Sequence, residues 1–211
     1  VYTELGSGFA IASSDLEIRG AGEILGGTQS GHLEEIGLEL YMELLQDAIN
    51  ELKGEKSKKN KNIEVSAHFS CKIPSKYIKD HSERLKQYKR LSNCGSADGL
   101  DEIKNDLINI YGKLPSTLEN LYYVLKTRVF LQELCIKSVN VGINSISFNF
   151  DPAELDLNIN LRNKLIDTFL AKRKTYQFTP DYKLIHRPKN QINPEFLMNF
   201  AKEIAQKIVP C

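Results

Sequence analysis

The chain has 211 residues, 41% of them hydrophobic, and its 28 Lys and Arg nearly balance 27 Asp and Glu for a formal net charge of +1. That length suits one domain with an appendage, and that apolar content supplies a core, which excludes wholesale disorder. The near-zero charge argues against a free-standing nucleic-acid binder, which usually shows a basic excess on one face. No basic stretch leads into an apolar run after Val1, and no apolar run reaches membrane-spanning length, so neither a signal peptide nor a membrane anchor is expected. Cys71, Cys94, Cys135 and Cys211 are far apart and form no CxxC or Cys/His cluster. This spacing argues against zinc and, with no export signal, for a cytoplasmic location.

In chain order, the stretch to about Gly31 holds Gly6, Gly8, Gly20, Gly22, Gly26, Gly27 and Gly31, too many for a self-contained fold. It reads as the edge of something larger. From about Leu33 to Leu52, Leu33, Ile36, Leu40, Leu44 and Ala48 recur at helical spacing, and Gly54 ends the helix. Lys56, Lys58, Lys59 and Lys61 then mark a solvated loop rather than a nucleic-acid patch, because no aromatic residue interleaves to stack a base.

A different texture begins at Ile63. Ile63, Val65, Ala67 and Phe69 alternate with polar residues as a half-buried strand does. Asp80 and Glu83 resemble a capping box opening a helix through Leu91. Ser96 is placed to cap a second helix, with Leu100, Ile103, Leu107 and Ile110 on its apolar face and Gly112 closing it. Pro115 and Ser116 start a long helix to about Cys135. Val139 and Val141, then Ile143, Ile146, Phe148 and Phe150, read as strands around the turn-prone Gly142 to Ser145. A helix from Asn160 to Lys172, two strands about Pro180 (Phe178, and Tyr182 to His186) and a last helix from Asn193 to Ile208 complete the chain. Helices and strands that do not strictly alternate predict an α+β fold with a small, mostly antiparallel sheet.

The residues show no independent active site. Gly20-Ala21-Gly22-Glu23-Ile24-Leu25-Gly26 misses the dinucleotide fingerprint, because Leu25 stands where the third glycine belongs. No phosphate-cradling GxxxxGK[ST], no GxSxG and no HExxH occurs. His32, His68, His81 and His186 are scattered and read as surface or satisfied core residues. An autonomous small-molecule enzyme is therefore disfavoured.

Gly8 to Ile49, and above all the core DLEIRGAGEILGGTQSG from Asp15 to Gly31, resembles the translocation motif that follows the last helicase motif of the transcription-repair coupling factor family. The shorter core also resembles RecG-like branched-DNA helicases, the alternative reading. The likeness to the coupling factors continues through Ile73 to Asn93 and Leu100 to Leu121, where a RecG-type chain has already ended. The resemblance implies a division into residues 1–53, the end of the second motor lobe; 54–62, a Lys-rich loop; and 63–211, a C-terminal regulatory domain.

It further implies that this chain is the C-terminal part of an ATP-dependent translocase that moves on double-stranded DNA, displaces stalled RNA polymerase and couples transcription to excision repair. ATP and magnesium would belong to motor lobes outside this chain, so no cofactor and no ATP hydrolysis are expected of it alone. The C-terminal domain would contact an N-terminal module related to a repair helicase and so govern recruitment of the damage sensor. The family's coupling arginine and glutamine correspond to Arg19 and Gln29, with Glu17 as a partner for Arg19 and Gly20 and Gly22 allowing close approach to DNA or a motor lobe. A guanidinium fork suits a phosphate or carboxylate. Read from the residues alone, Glu17 and Arg19 instead make a local pair bracing the loop.

Overall fold

The computed structural model describes residues 63–170 and 175–208. The expected Gly-rich stretch, the helix from about Leu33 to Leu52 and the Lys-rich loop lie outside the described residues.

The first strand, β1 (Glu64–Ala67), follows the predicted alternation: Ile63 and Val65 are buried, and Ala67 and Phe69 pack against the same core. Helix α1 (His81–Ser92) opens where Asp80 Oδ1 accepts the Glu83 N–H at 2.7 Å. Only this half of the capping box forms. The Glu83 carboxylate instead accepts from Gln87 Nε2 at 2.8 Å and from Lys86 Nζ at 3.3 Å.

Helix α2 (Ala97–Tyr111) is capped by Ser96, whose Oγ accepts the Gly99 N–H at 3.1 Å. Leu100, Ile103 and Leu107 are buried as expected, but Ile110 is 65% exposed. At 3.6 residues per turn Ile110 is rotated roughly 60° from Leu107, which puts it at the margin of the buried arc in the last turn. Gly112 ends the helix at φ +84°, ψ −163°, a conformation that suits glycine alone. The Tyr77 hydroxyl bridges this end, 3.0 Å from Leu107 O and 2.9 Å from Gly112 O.

Helix α3 (Ser116–Leu131) begins behind Pro115 but stops short of the expected Cys135. The chain must reverse there to enter β2, and Cys135 turns it with φ +54°, its carbonyl accepting the Asp151 N–H at 2.8 Å. Strands β2 (Ile136–Val141) and β3 (Ile146–Phe150) form a hairpin in which the Gly142 N–H reaches Ser145 O at 2.8 Å. Ile143, expected in a strand, sits in this turn and is 78% exposed.

A short helix absent from the sequence expectations, α4 (Pro152–Leu157), follows; Asp151 caps it and Pro152 stands at its first position. In α5 (Ile159–Leu170), Leu161, Leu165 and Phe169 are buried; the expected end at Lys172 lies outside the described residues. Strands β4 (Tyr176–Thr179) and β5 (Lys183–His186) are joined by a turn closed by the Tyr182 N–H on Thr179 O at 3.1 Å. Tyr182 itself has φ +57°, the left-handed residue that a short hairpin loop requires after its turn. Asn193 caps α6 (Pro194–Ile208), its Oδ1 accepting the Phe196 N–H at 2.7 Å.

The five strands lie in the order β1-β2-β3-β5-β4, with β1 parallel to β2 and every other neighbour antiparallel. This is the expected α+β class, a mostly antiparallel sheet with six helices among the described residues. Val139, Val141, Ile146, Phe148, Phe150 and Leu184 project from the sheet into one core shared with α4, α5 and α6. A second core joins α1, α2 and the first turns of α3 through Leu91, Leu100, Ile103, Leu107, Leu118 and Leu121. Helix α3 belongs to both: Leu125 faces the helical core, and Val124 and Leu131 face the sheet core.

Candidate functional site

The predicted coupling residues Glu17, Arg19, Gly20, Gly22 and Gln29 lie outside the described residues. Within these, three places gather polar chemistry.

The first joins α2 to α3. Lys126 Nζ donates to both Asp101 oxygens at 2.9 and 2.8 Å and to Tyr122 Oη at 3.1 Å, while the Tyr122 hydroxyl donates to Asp101 Oδ1. Lys104 Nζ adds a cation over the Tyr122 ring, 4.5 Å from its centroid. Burial alone would push the Asp101 carboxyl up, but the hydrogen bonds from Lys126 and Tyr122 outweigh it and hold it below its ordinary value. Burial would likewise push Lys126 down, yet its bonds to Asp101 and Tyr122 raise it. A lysine held in its charged form is no nucleophile; the cluster is a brace between two helices. Tyr122 and Lys126 stand four residues apart, a helical-face pairing visible in the sequence, whereas their meeting with Asp101 depends on the tertiary packing.

The second is the sheet face opposite the core. Paired registers bring Ser138 beside Asn149 and Asn140 beside Ser147, with Glu64 and Ser66 on one flank and Gln177 and Thr179 on the other. Asn149 Nδ2 donates to Ser138 Oγ at 2.9 Å, and Asn149 Oδ1 is buried without a partner among the described residues. Lys183 and Ile185 of β5 lie on the same face between these flanks, so it is polar around β2 and β3 and carries one cation and one apolar side chain beside them.

The third is a recess of about 600 Å³ between the β4–β5 end of the sheet, the loop after β5 and helix α6. His186 sits in its wall. The sequence reading placed His186 among surface or satisfied core residues, and the structure makes it 7% exposed and stacked on Phe200 at 4.4 Å and Tyr176 at 4.9 Å. Burial lowers its pKa, against smaller opposing effects of the Thr175 carbonyl and Glu203.

Among the described residues no three His, Cys, Asp or Glu side chains converge to hold a metal ion. Cys71 and Cys94 are free thiols, and burial pushes that of Cys71 up to about 11. No described helix is long and apolar enough to cross a membrane.

Comparison with known proteins places this geometry. Residues 67–169 match the family model described as "TRCF domain". A transcription-repair-coupling factor of Myxococcus xanthus is 32% identical over 211 residues, all of this chain and 17% of that protein. One of Buchnera aphidicola is 45% identical over 213 residues, 96% of this chain and 25% of that protein. The chain thus spans about a sixth to a quarter of these relatives' length. A solved structure, "Crystal structure of C-terminal domain of transcription-repair coupling factor", shares the fold with a TM-score of 0.56 at 17% identity, covering 70% of this chain and 94% of that one.

Proposed function

Since the chain belongs to the transcription-repair-coupling factor family, we propose that it is the C-terminal part of an ATP-dependent DNA translocase that displaces stalled RNA polymerase and hands the site to excision repair. The observation that carries this reading is the reach of the similarity. It runs over all 211 residues in the Myxococcus xanthus relative, and so takes in the Asp15–Gly31 motif as well as the folded domain. The match at residues 67–169 also lies beyond the motif shared with RecG-like helicases and favours the coupling-factor reading over that alternative.

In this reading residues 1–53 end the second motor lobe, 54–62 link, and 63–211 form a regulatory domain for protein contact. ATP and magnesium are held by motor lobes outside this chain, and double-stranded DNA and RNA polymerase are engaged through them, in the cytoplasm. Arg19 answers the motor's state through a forked contact to phosphate or to a carboxylate such as Glu17, and Gln29 supports it as a neutral donor and acceptor. Gly20 and Gly22 permit the close backbone approach. The polar sheet face around Ser138, Asn140, Ser147 and Asn149 suits a reversible contact within the longer protein, such as one to a repair-helicase-like module that screens the damage sensor's docking surface. Interfaces between domains of one chain are more polar than obligate ones.

The test uses the full-length parent carrying Arg19→Ala. Losing one charge-assisted hydrogen bond costs about 1.5–3 kcal/mol, enough to let the motor slip while ATP is still hydrolysed. Triplex-strand displacement is expected to fall more than the ATPase rate, Gln29→Ala to act more mildly, and Arg19→Lys to rescue only in part. Equal loss of both activities would put Arg19 in the ATP site and defeat the coupling role.

A further inference from the structure

The recess beside α6 has a chemistry that neither the family match nor the translocase reading uses. Its described walls come from three elements. Tyr176 and His186 are register partners at the end of the β4–β5 pair; Arg187, Lys189 and Asn190 follow in the next loop; Phe196, Asn199, Phe200 and Glu203 line one side of α6. The volume, about 600 Å³, lies in the range of small-ligand sites, about 300–1,000 Å³.

His186 sets the hydrogen-bonding requirement. Its Nδ1 lies 3.2 Å from Thr175 O. A carbonyl only accepts, so Nδ1 carries the proton. Burial disfavours the charged ring, so Nε2 is a bare acceptor. No described residue donates to it. The side chain is 7% exposed, with Nδ1 satisfied by Thr175 and Nε2 open to the recess, where a donor from an occupant can reach it.

Two more requirements come from the remaining walls. Phe196, half-buried, stacks on Phe200 at 6.2 Å, and with Tyr176 it offers aromatic surface at the recess. Arg187 and Lys189 give the rim two positive charges. The opposing carboxylate, Glu203, is already paired with Lys207 one helical turn on. An occupant with a planar group, an N–H donor and an anion would match these three features within one small volume.

We propose that this recess binds a nucleotide. The base lies against the aromatic wall and donates an N–H to His186 Nε2, and the phosphate is held by Lys189, with Arg187, whose Nη1 donates to Gln177 Oε1 at 3.2 Å, adding charge at the rim. Base–aromatic stacking with a cationic rim is the general means of holding an unpaired nucleotide. An acidic peptide meets the charge requirement but needs separate residues for the other two. No aromatic residue interleaves with the lysines of the Lys56–Lys61 stretch, whereas here four aromatic rings stand beside the cations. The inference does not rest on the translocase reading.

The test is an NMR titration of the ¹⁵N-labelled 211-residue chain with two probes, adenosine 5′-monophosphate and a single-stranded deoxyadenosine hexamer. Expected is a shielding of the His186 Nε2 resonance and shifts at Phe196 and Lys189, with a dissociation constant on the order of 10⁻⁴ M for the hexamer at moderate salt. Shifts with both probes identify a free nucleotide as sufficient; shifts with the hexamer alone identify a strand; either supports the proposal. Replacing His186 disturbs the core, so the exposed Lys189→Glu carries the mutational arm and is expected to weaken binding about tenfold. No shift at His186 with millimolar amounts of either probe overturns the proposal. So does binding that Lys189→Glu leaves unchanged, or shifts at these residues produced only by an acidic aromatic peptide.

Discussion

Lys126→Met tests how firmly α2 is held to α3. The substitution keeps the aliphatic stem and deletes the ammonium, which donates to both Asp101 oxygens and to Tyr122 Oη. The Lys126 side chain is 12% exposed, so its charge is poorly screened by water, whereas that of Asp101 is 45% exposed and can be rehydrated. A hydrogen bond to a charged group is worth about 1.5–3 kcal/mol, and Asp101's access to solvent places the loss near the lower end, about 1.5–2 kcal/mol. In a chain of this size each kcal/mol moves the melting midpoint by about 2–4 °C, so a fall of about 3–8 °C is expected. Urea melts of Lys126→Met, Asp101→Asn and the double variant measure the coupling. The signs with pH follow from the shifts. Asp101 is lowered, so its contribution is full above the unfolded carboxylate value of about 4 and is lost as pH falls through the folded one. Lys126 is raised, so its contribution is full below about 10.4 and is lost as pH rises through the folded value. Additive single effects, with no coupling in the double variant, would refute the brace.

Gly112→Ala meets open space but must adopt φ +84°, and is expected to cost about 1–3 kcal/mol by denaturant melts. His186 is depressed by burial, so its neutral, folded form is fully favoured above its unfolded pKa of about 6.5; stability should fall as pH drops through the folded value, and His186→Phe should flatten that dependence in thermal melts at pH 5–7. Cys71, whose thiol is pushed up to about 11, should react with maleimide at neutral pH far more slowly in the native chain than in urea, as mass spectrometry of labelled peptides would show.

Much of the fold was legible because local chemistry and tertiary packing agree. Asp80, Ser96 and Asn193 announce their helices by side chains that accept the N–H three residues on, and the structure uses all three. Where the expectation failed, a feature without local signature decided the outcome. Ile143 and Ile110 looked apolar enough for the core, but the hairpin needed Ile143 in its turn, and Ile110 fell off the buried arc. Cys135, with no glycine to advertise it, adopts the left-handed conformation that ends α3 early. The short α4 did carry a signal in Asp151-Pro152, overlooked beside the strand before it. The recess was invisible to sequence because Tyr176, His186, Lys189 and Phe196 meet only when β5, its following loop and α6 fold together. The proposed coupling role of Arg19 and Gln29 rests on the resemblance, and both lie outside the described residues.

Helix α3 gives the domain a mechanical character that neither core has by itself. Its residues alternate between two hydrophobic interiors, so a turn or slide of the helix that suits one interior opens voids in the other. A load applied at α1 or α2 is therefore expected to reach the sheet through this shared helix. The two halves should melt as a single calorimetric unit. A partner gripping the helical half would, through that helix, feel the stiffness of the sheet behind it.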